Sequence, residues 1–210
     1  MADAIRELFR NSDGPASFAK GYLTHLGKLL ARLDVDAIAS FIEILLEARQ
    51  HDRTVFFLGN GGSAATSSHF SNDLGIGTRS GRKPFRAVSL TDNVAVMTAI
   101  ANDYSYDDVF MRQLKYQLRP GDVVVGISAS GNSPNVLRAI DYANAEGAHT
   151  VGLTGFDGGK LRLLVKTSLH IPTERGEYGP VEDVHMILDH LVSGFLMQLC
   201  HAEAVADGSA

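Results

Sequence analysis

The apolar run Val124-Val125-Gly126-Ile127 breaks into Ser128-Ala129-Ser130-Gly131-Asn132-Ser133 and then into Pro134-Asn135-Val136. A buried strand that ends in hydroxyls and glycine, followed by a proline suited to the first turn of a helix, aims unpaired backbone N–H groups and several hydroxyls at one point. That is the chemistry of holding a phosphate. One Ser/Gly turn is more often only a turn. The chain, however, repeats the arrangement: Thr54-Val55-Phe56-Phe57-Leu58 leads into Gly59-Asn60-Gly61-Gly62-Ser63 and then a helical Ala64-Ala65-Thr66-Ser67-Ser68-His69-Phe70.

Elements must hold these two loops together. Helical periodicity over 18–31 and 36–49 places two helices before the first strand. Strands are expected near 54–58, 85–90, 122–127, 149–154 and 167–171, with helical patterns between them at 62–75, 93–101, 105–118, 134–146 and 158–164. A long helix follows from Val181 to Leu199, and the small, polar stretch 202–210 is expected to fray. Such alternation implies an α/β fold with a parallel sheet covered on both faces. In a doubly wound sheet of this kind ligands sit outside the carboxyl ends of the strands, where the order reverses, and both Ser/Gly loops lie at strand carboxyl ends.

The chain of 210 residues is 45% hydrophobic, with 21 glycines and no linker that would divide it, and reads as one domain spanning 1–210. Helices occupy about 1–51 and the α/β core about 52–200. A net charge of −5 argues against a general nucleic-acid surface, and the basic cluster Arg79, Arg82, Lys83 and Arg86 reads as a solvated loop. The single Cys200 leaves no intramolecular disulfide, and the first residues lack a secretory apolar segment, so a cytoplasmic protein is expected. No apolar stretch approaches the roughly 18 residues of a membrane span.

Gly59-Asn60-Gly61-Gly62-Ser63, Ala101-Asn102-Asp103-Tyr104, Gly126-Ile127-Ser128-Ala129-Ser130-Gly131-Asn132-Ser133 and Leu153-Thr154-Gly155-Phe156-Asp157-Gly158-Gly159 together resemble the sugar isomerase (SIS) domain, in its phosphoheptose isomerase branch. The resemblance runs from about residue 16 to 200. It implies a flavodoxin-like three-layer αβα sandwich with a five-stranded parallel sheet, a homotetramer in which neighbouring subunits complete each site, and a phosphorylated sugar as substrate. The reaction it implies is conversion of sedoheptulose 7-phosphate to D-glycero-D-manno-heptose 7-phosphate. Phosphate would lie against Ser63, Ser128, Ser130 and Ser133, with Gly61 and Gly62 in the loop and Ala129 where the family often has Thr. Asn60 would face the substrate, and Thr91-Asp92-Asn93 matches a substrate loop in which the family's Asp is displaced to Asp92 or replaced by Asn93.

Ketose to aldose isomerisation through an enediol needs proton transfer between neighbouring carbons and control of charge on two oxygens. His69 and Asp73 are four apart on one helix and project from one face. Glu182 and His190, eight apart on the last helix, stand about 80° apart around its axis and converge only loosely. These four match the family's catalytic His, Glu, Gln and His, which bind zinc in some members. Asp73 thus replaces a Glu, shortening the reach by roughly 1.3 to 1.5 Å, and Glu182 replaces a Gln, adding a charge. The set His69, Asp73, Glu182 and His190 suits a divalent metal, zinc first and manganese or iron next. Asp73 is the expected base and His190 the acid or shuttle, with Glu182 taking over proton transfer where a metal holds Asp73.

His185 and Asp189 make another pair four apart, and Asp183 lies beside Glu182. Asp183 or His185 could orient the site, although surface or subunit contact is the plainer reading for both. His25, His51, His149, His170 and His201 carry no partner pattern. A rival reading is a non-catalytic SIS protein that binds a phosphosugar or a replication initiator, which Thr91-Asp92-Asn93-Val94 fits as well; the carboxylates at Asp73 and Glu182 favour an enzyme.

Overall fold

Three helices, not two, precede the first strand. The computed structural model describes residues 4–80, 83–206 and 208; Arg82 of the basic cluster and Asp207, Ser209 and Ala210 of the tail lie outside them. Helix α1 (Ala4–Arg10) is too short and too charged to show in the periodicity. Helix α2 (Pro15–Leu30) opens on a proline, and α3 (Val35–Gln50) is capped by Asp34, whose carboxylate accepts from Asp36 N at 3.1 Å and Ala37 N at 3.0 Å.

Five strands follow: β1 (Thr54–Gly59), β2 (Arg86–Ser89), β3 (Val123–Ser128), β4 (His149–Thr154) and β5 (Thr167–His170). They form one parallel sheet in the order β2-β1-β3-β4-β5. Helices α4 (Gly62–Asn72), α5 (Val94–Asp103), α6 (Met111–Gln117), α7 (Pro134–Ala145), α8 (Gly159–Leu164) and α9 (Tyr178–Ala206) complete three layers. The central strands β1, β3 and β4 are buried on both faces, so each apolar run serves two cores. Val55 and Phe57 join Phe41, Phe70, Val184 and Leu188 on one side, whereas Phe56 and Leu58 join Phe110, Leu114, Ile140 and Leu161 on the other.

The order reverses between β1 and β3, which pair with Gly59 beside Ile127. The loops that leave these two strands are therefore neighbours, at the switch point where such sheets take ligands.

Two helices differ from expectation in a way that bears on the site. The helix expected over 62–75 ends at Asn72 and passes into a π-helical turn, Asp73–Gly77, so Asp73 stands where the winding changes. Such turns recur at functional sites. The last helix does not end at Leu199 but runs to Ala206, because Cys200 is buried in the core and Glu203 is held by Arg49 at 2.8 Å. Among the described residues no helix is long and apolar enough to cross a membrane.

Candidate functional site

Two loops and two helices build the cleft. In the loop between β3 and α7, Gly131 N–H donates to the Ser128 carbonyl at 3.0 Å and to its hydroxyl at 3.2 Å, and Asn132 N–H reaches Ser130 Oγ at 3.3 Å. Ser128 and Ser133 hydroxyls lie 3.3 Å apart. Gly131 has φ of +61°, and a Cβ there would sit 2.0 Å from the Gly158 carbonyl, so only glycine lets this loop lock against the one after β4. Leu161 N–H completes the lock on the Gly131 carbonyl at 2.9 Å. Ser133 stands at the N-terminus of α7 and its side chain caps nothing; Asn135 Oδ1 takes the Val136 N–H at 2.9 Å, and the N–H groups before it are left to meet an anion.

The loop after β1 is tied to the same helix. Asn60 and Asn135 exchange amide hydrogen bonds, both of 2.9 Å, and the Tyr106 hydroxyl donates to Asn60 Oδ1 at 2.8 Å. Asn60 thus fastens the two loops to each other, a role that required knowing that α7 begins beside it. Gly61 starts α4, again with no side-chain cap, and Ser63 is buried. Asp92 accepts from Ser68 of α4 and from the Thr91 hydroxyl, the latter at 3.2 Å, whereas Asn93 caps α5 by accepting from Val96 N at 3.1 Å.

Helices α4 and α9 pack side by side. The His69 and His190 rings meet edge to face with Nε2 atoms 3.0 Å apart, and Asp73 Oδ2 lies 3.4 Å from His69 Nε2. Asp189 joins them: one ligand-type atom from each of His69, Asp73, Asp189 and His190 falls within 4.8 Å of every other. Burial, and then the charge of Asp73, push the Asp189 carboxyl up to about 7, against a weaker pull from Ser193.

Glu182 is not in this group. Its carboxylate instead covers Gly62 at the N-terminus of α4, where an added Cβ would lie 2.2 Å from Glu182 Oε2. The reason is axial. Gly62 pairs with Glu182 and His69 with His190, so the two helices run parallel, and eight residues of α-helix separate Glu182 from His190 by about 12 Å. An angular offset of about 80° had left convergence open; the rise closes it. Burial and the neighbouring Asp183 raise the Glu182 pKa, and Asp183 itself accepts from the Tyr22 hydroxyl at 2.5 Å.

The sequence thus brings His69, Asp73 and His190 together as expected and sets Glu182 apart. It missed Asp189, whose position before His190 and four after His185 was visible but whose burial was not. Neither His185 nor Asp189 lies at the surface: both are fully buried. Both ring nitrogens of His185 lack a hydrogen-bond partner, and burial pushes its pKa down to about 4, with the Thr154 main chain pulling weakly the other way. His149 and His170 link neighbouring strands through Thr167 and Thr154, each at 3.0 Å, and His25 faces the buried Glu177 at 3.4 Å.

Comparison with known proteins agrees with this architecture. The SIS domain family matches residues 21–155. A probable phosphoheptose isomerase of Thermoplasma acidophilum is 37% identical over 178 residues, covering 85% of this chain and 97% of the relative. The phosphoheptose isomerase of Geobacter sulfurreducens is 41% identical over 155 residues, 72% of this chain and 82% of that one. The solved phosphoheptose isomerase of Neisseria gonorrhoeae superposes with a TM-score of 0.73 at 34% identity, over 86% of this chain and 95% of the other. That of Francisella tularensis shares the fold, with a TM-score of 0.78 at 24% identity over 87% and 96% of the two chains.

The buried His185 sets an acid limit on stability. Its pKa falls from 6.5 in the unfolded chain to about 4 in the folded one, so between these values the unfolded state takes up a proton that the folded state refuses. Stability is full above pH 6.5 and falls as the pH drops towards 4, by about 3 kcal/mol in all. Urea denaturation at pH 7 and 4.5 should show this loss in the parent chain and a smaller one in His185→Leu; equal losses would contradict it.

Proposed function

This chain belongs to the SIS-domain family, and from that premise we propose that it interconverts sedoheptulose 7-phosphate and D-glycero-D-manno-heptose 7-phosphate. It is an enzyme, an aldose–ketose isomerase. The observation that carries the reading is one cleft at the β1/β3 switch point with a serine-lined helix N-terminus in it and, on the α4 and α9 side, ionisable groups suited to proton transfer.

The phosphate takes the N-terminus of α7, with the Ser128, Ser130 and Ser133 hydroxyls and the loop N–H groups as donors. The N-terminus of α4 is less suitable, since the Glu182 carboxylate already covers Gly62 and like charge opposes a second anion. Gly61 and Ser63 then shape the wall beside Glu182, Asn60 holds the two loops in register, and Asp92 accepts from sugar hydroxyls with Asn93 behind it as the cap of α5.

In the reaction a proton leaves C1 of the ketose and arrives at C2, while the O1 proton passes to O2; the enediol lies between. Asp73 is the group that takes the carbon-bound proton, since it stands in one cluster with His190, whereas Glu182 lies about 12 Å back along α9 and does not reach the same pair of carbons. His190 moves the proton between the oxygens. His69, Asp73 and His190 suit a zinc ion: two imidazole nitrogens 3.0 Å apart are close to the roughly 3.3 Å that two donors keep on one tetrahedral centre. When bound, zinc there would polarise the two sugar oxygens. Free, buried Cys200 suits a reducing cytoplasm. Exposed Leu191 and Phe195 on α9, beside His190, suit burial by neighbouring subunits of a homotetramer.

Three outcomes test these assignments. Ser130→Asp should abolish binding of the phosphosugar in calorimetry without loss of folding, and unchanged affinity would refute the phosphate site. Asp73→Asn should lower turnover by at least about a hundredfold without loss of folding; a fully active variant would dismiss Asp73 as the base. Light scattering should give the mass of four 22.6 kDa chains, not one.

A further inference from the structure

We propose that Asp189 is a direct ligand in a divalent-cation site made by His69, Asp73, Asp189 and His190, with Glu182 outside it. The identity of the cation's neighbours, and not the family's general use of a metal, is the substance of this proposal. Among the described residues this is the one cluster in which three or more His, Cys, Asp or Glu ligand atoms approach one another within bonding range of a common ion.

Asp189 itself points to a missing partner. It is fully buried, its Oδ2 has no hydrogen-bond partner, and its Oδ1 receives only a long contact of 3.4 Å from Ser193, whose hydroxyl serves the Asp189 carbonyl at 2.5 Å. The protein alone leaves Oδ2 unsatisfied, although buried polar groups in folded chains are satisfied as a rule. Two imidazoles and the Asp73 carboxylate stand around the Asp189 carboxylate within 4.8 Å, and a cation among the four residues gives Asp189 its missing partner while neutralising two carboxylates.

The donor set is two imidazoles and two carboxylates, which admits zinc and, more readily than a thiolate site would, manganese or iron. Ser193 then acts on the ligand's far oxygen, the kind of outer contact that fixes a ligating carboxylate. Glu182 sits one turn-pair back along α9, over Gly62, and has no part in binding.

The proposal rests on the isomerase reading only for what the ion is for, and its test needs no turnover. Full-length protein stripped of metal is titrated with zinc chloride by calorimetry, and cobalt(II) absorption reports the ligand field. The parent chain should bind one ion per chain; Asp189→Asn should bind at least about tenfold more weakly with an altered cobalt spectrum, and Glu182→Gln should bind within about twofold of the parent. Circular dichroism establishes that the variants fold, and Asp189→Glu, which keeps a carboxylate, should retain more affinity than the asparagine variant. Parent-like binding by Asp189→Asn, an equal loss in Glu182→Gln, or no ion bound by the parent would each overturn the proposal. Turnover of sedoheptulose 7-phosphate is measured apart: an ion bound through Asp189 without turnover would sink the isomerase reading alone, and isomerase activity with no ion bound would sink this proposal alone.

Discussion

The parallel contact between α4 and α9 is the constraint on which the rest of the cleft depends. It begins where Gly62 admits the Glu182 carboxylate and continues where His69 meets His190, seven residues on along one helix and eight along the other. Because the two advance at nearly the same rate of about 1.5 Å per residue, a group on one helix has its partner on the other fixed by height. A substitution that tilted α9 would therefore disturb both ends at once. The apolar residues that set the tilt, Val184, Leu188, Val192 and Leu196, are all buried in the core that also takes Phe57 and Phe70.

A second set of contacts fixes the opposite wall. The loop after β3 is held by its own serine hydroxyls, by the loop after β4 through Gly131 and Gly158, and by the loop after β1 through the Asn60–Asn135 pair. An anion site made largely of main-chain N–H groups needs such rigidity, since donors that must reorganise on binding lose much of their advantage. The hydrogen bond from Tyr106 adds a side chain from beyond α5 to this wall.

The buried ionisable groups of α9 sit less comfortably in the fold. His185 and Asp189 are buried with ring nitrogens or a carboxylate oxygen unmatched, and each unmatched group costs about 1–3 kcal/mol. Other local rules are kept: Asp34 and Asn93 cap their helices, and the central strands β1 and β3 are buried along nearly their whole length. The two unmatched groups on α9, together with the π-helical turn at Asp73, are the kind of departure that a functional site imposes on a fold.

Much was legible in the chain itself. Strand positions, the parallel sheet, its doubly wound character and the two phosphate-type loops follow from apolar runs, Ser/Gly breaks and helical periodicity, because these are local properties with a fixed spacing. The short α1 and the full reach of α9 were not, since the first is too brief to show a period and the second is extended by the ion pair of Arg49 with Glu203, which are far apart in sequence. Residue types fixed His69, Asp73, Glu182 and His190 as chemically able. Only the packing of α4 on α9 decided which of them meet: the height along the helix carried Glu182 away to Gly62, and the burial of the α9 face turned Asp189 inwards beside His190. Sequence spacing specifies an angle and a rise on one helix, but which groups share a point in space depends on where a second helix lies.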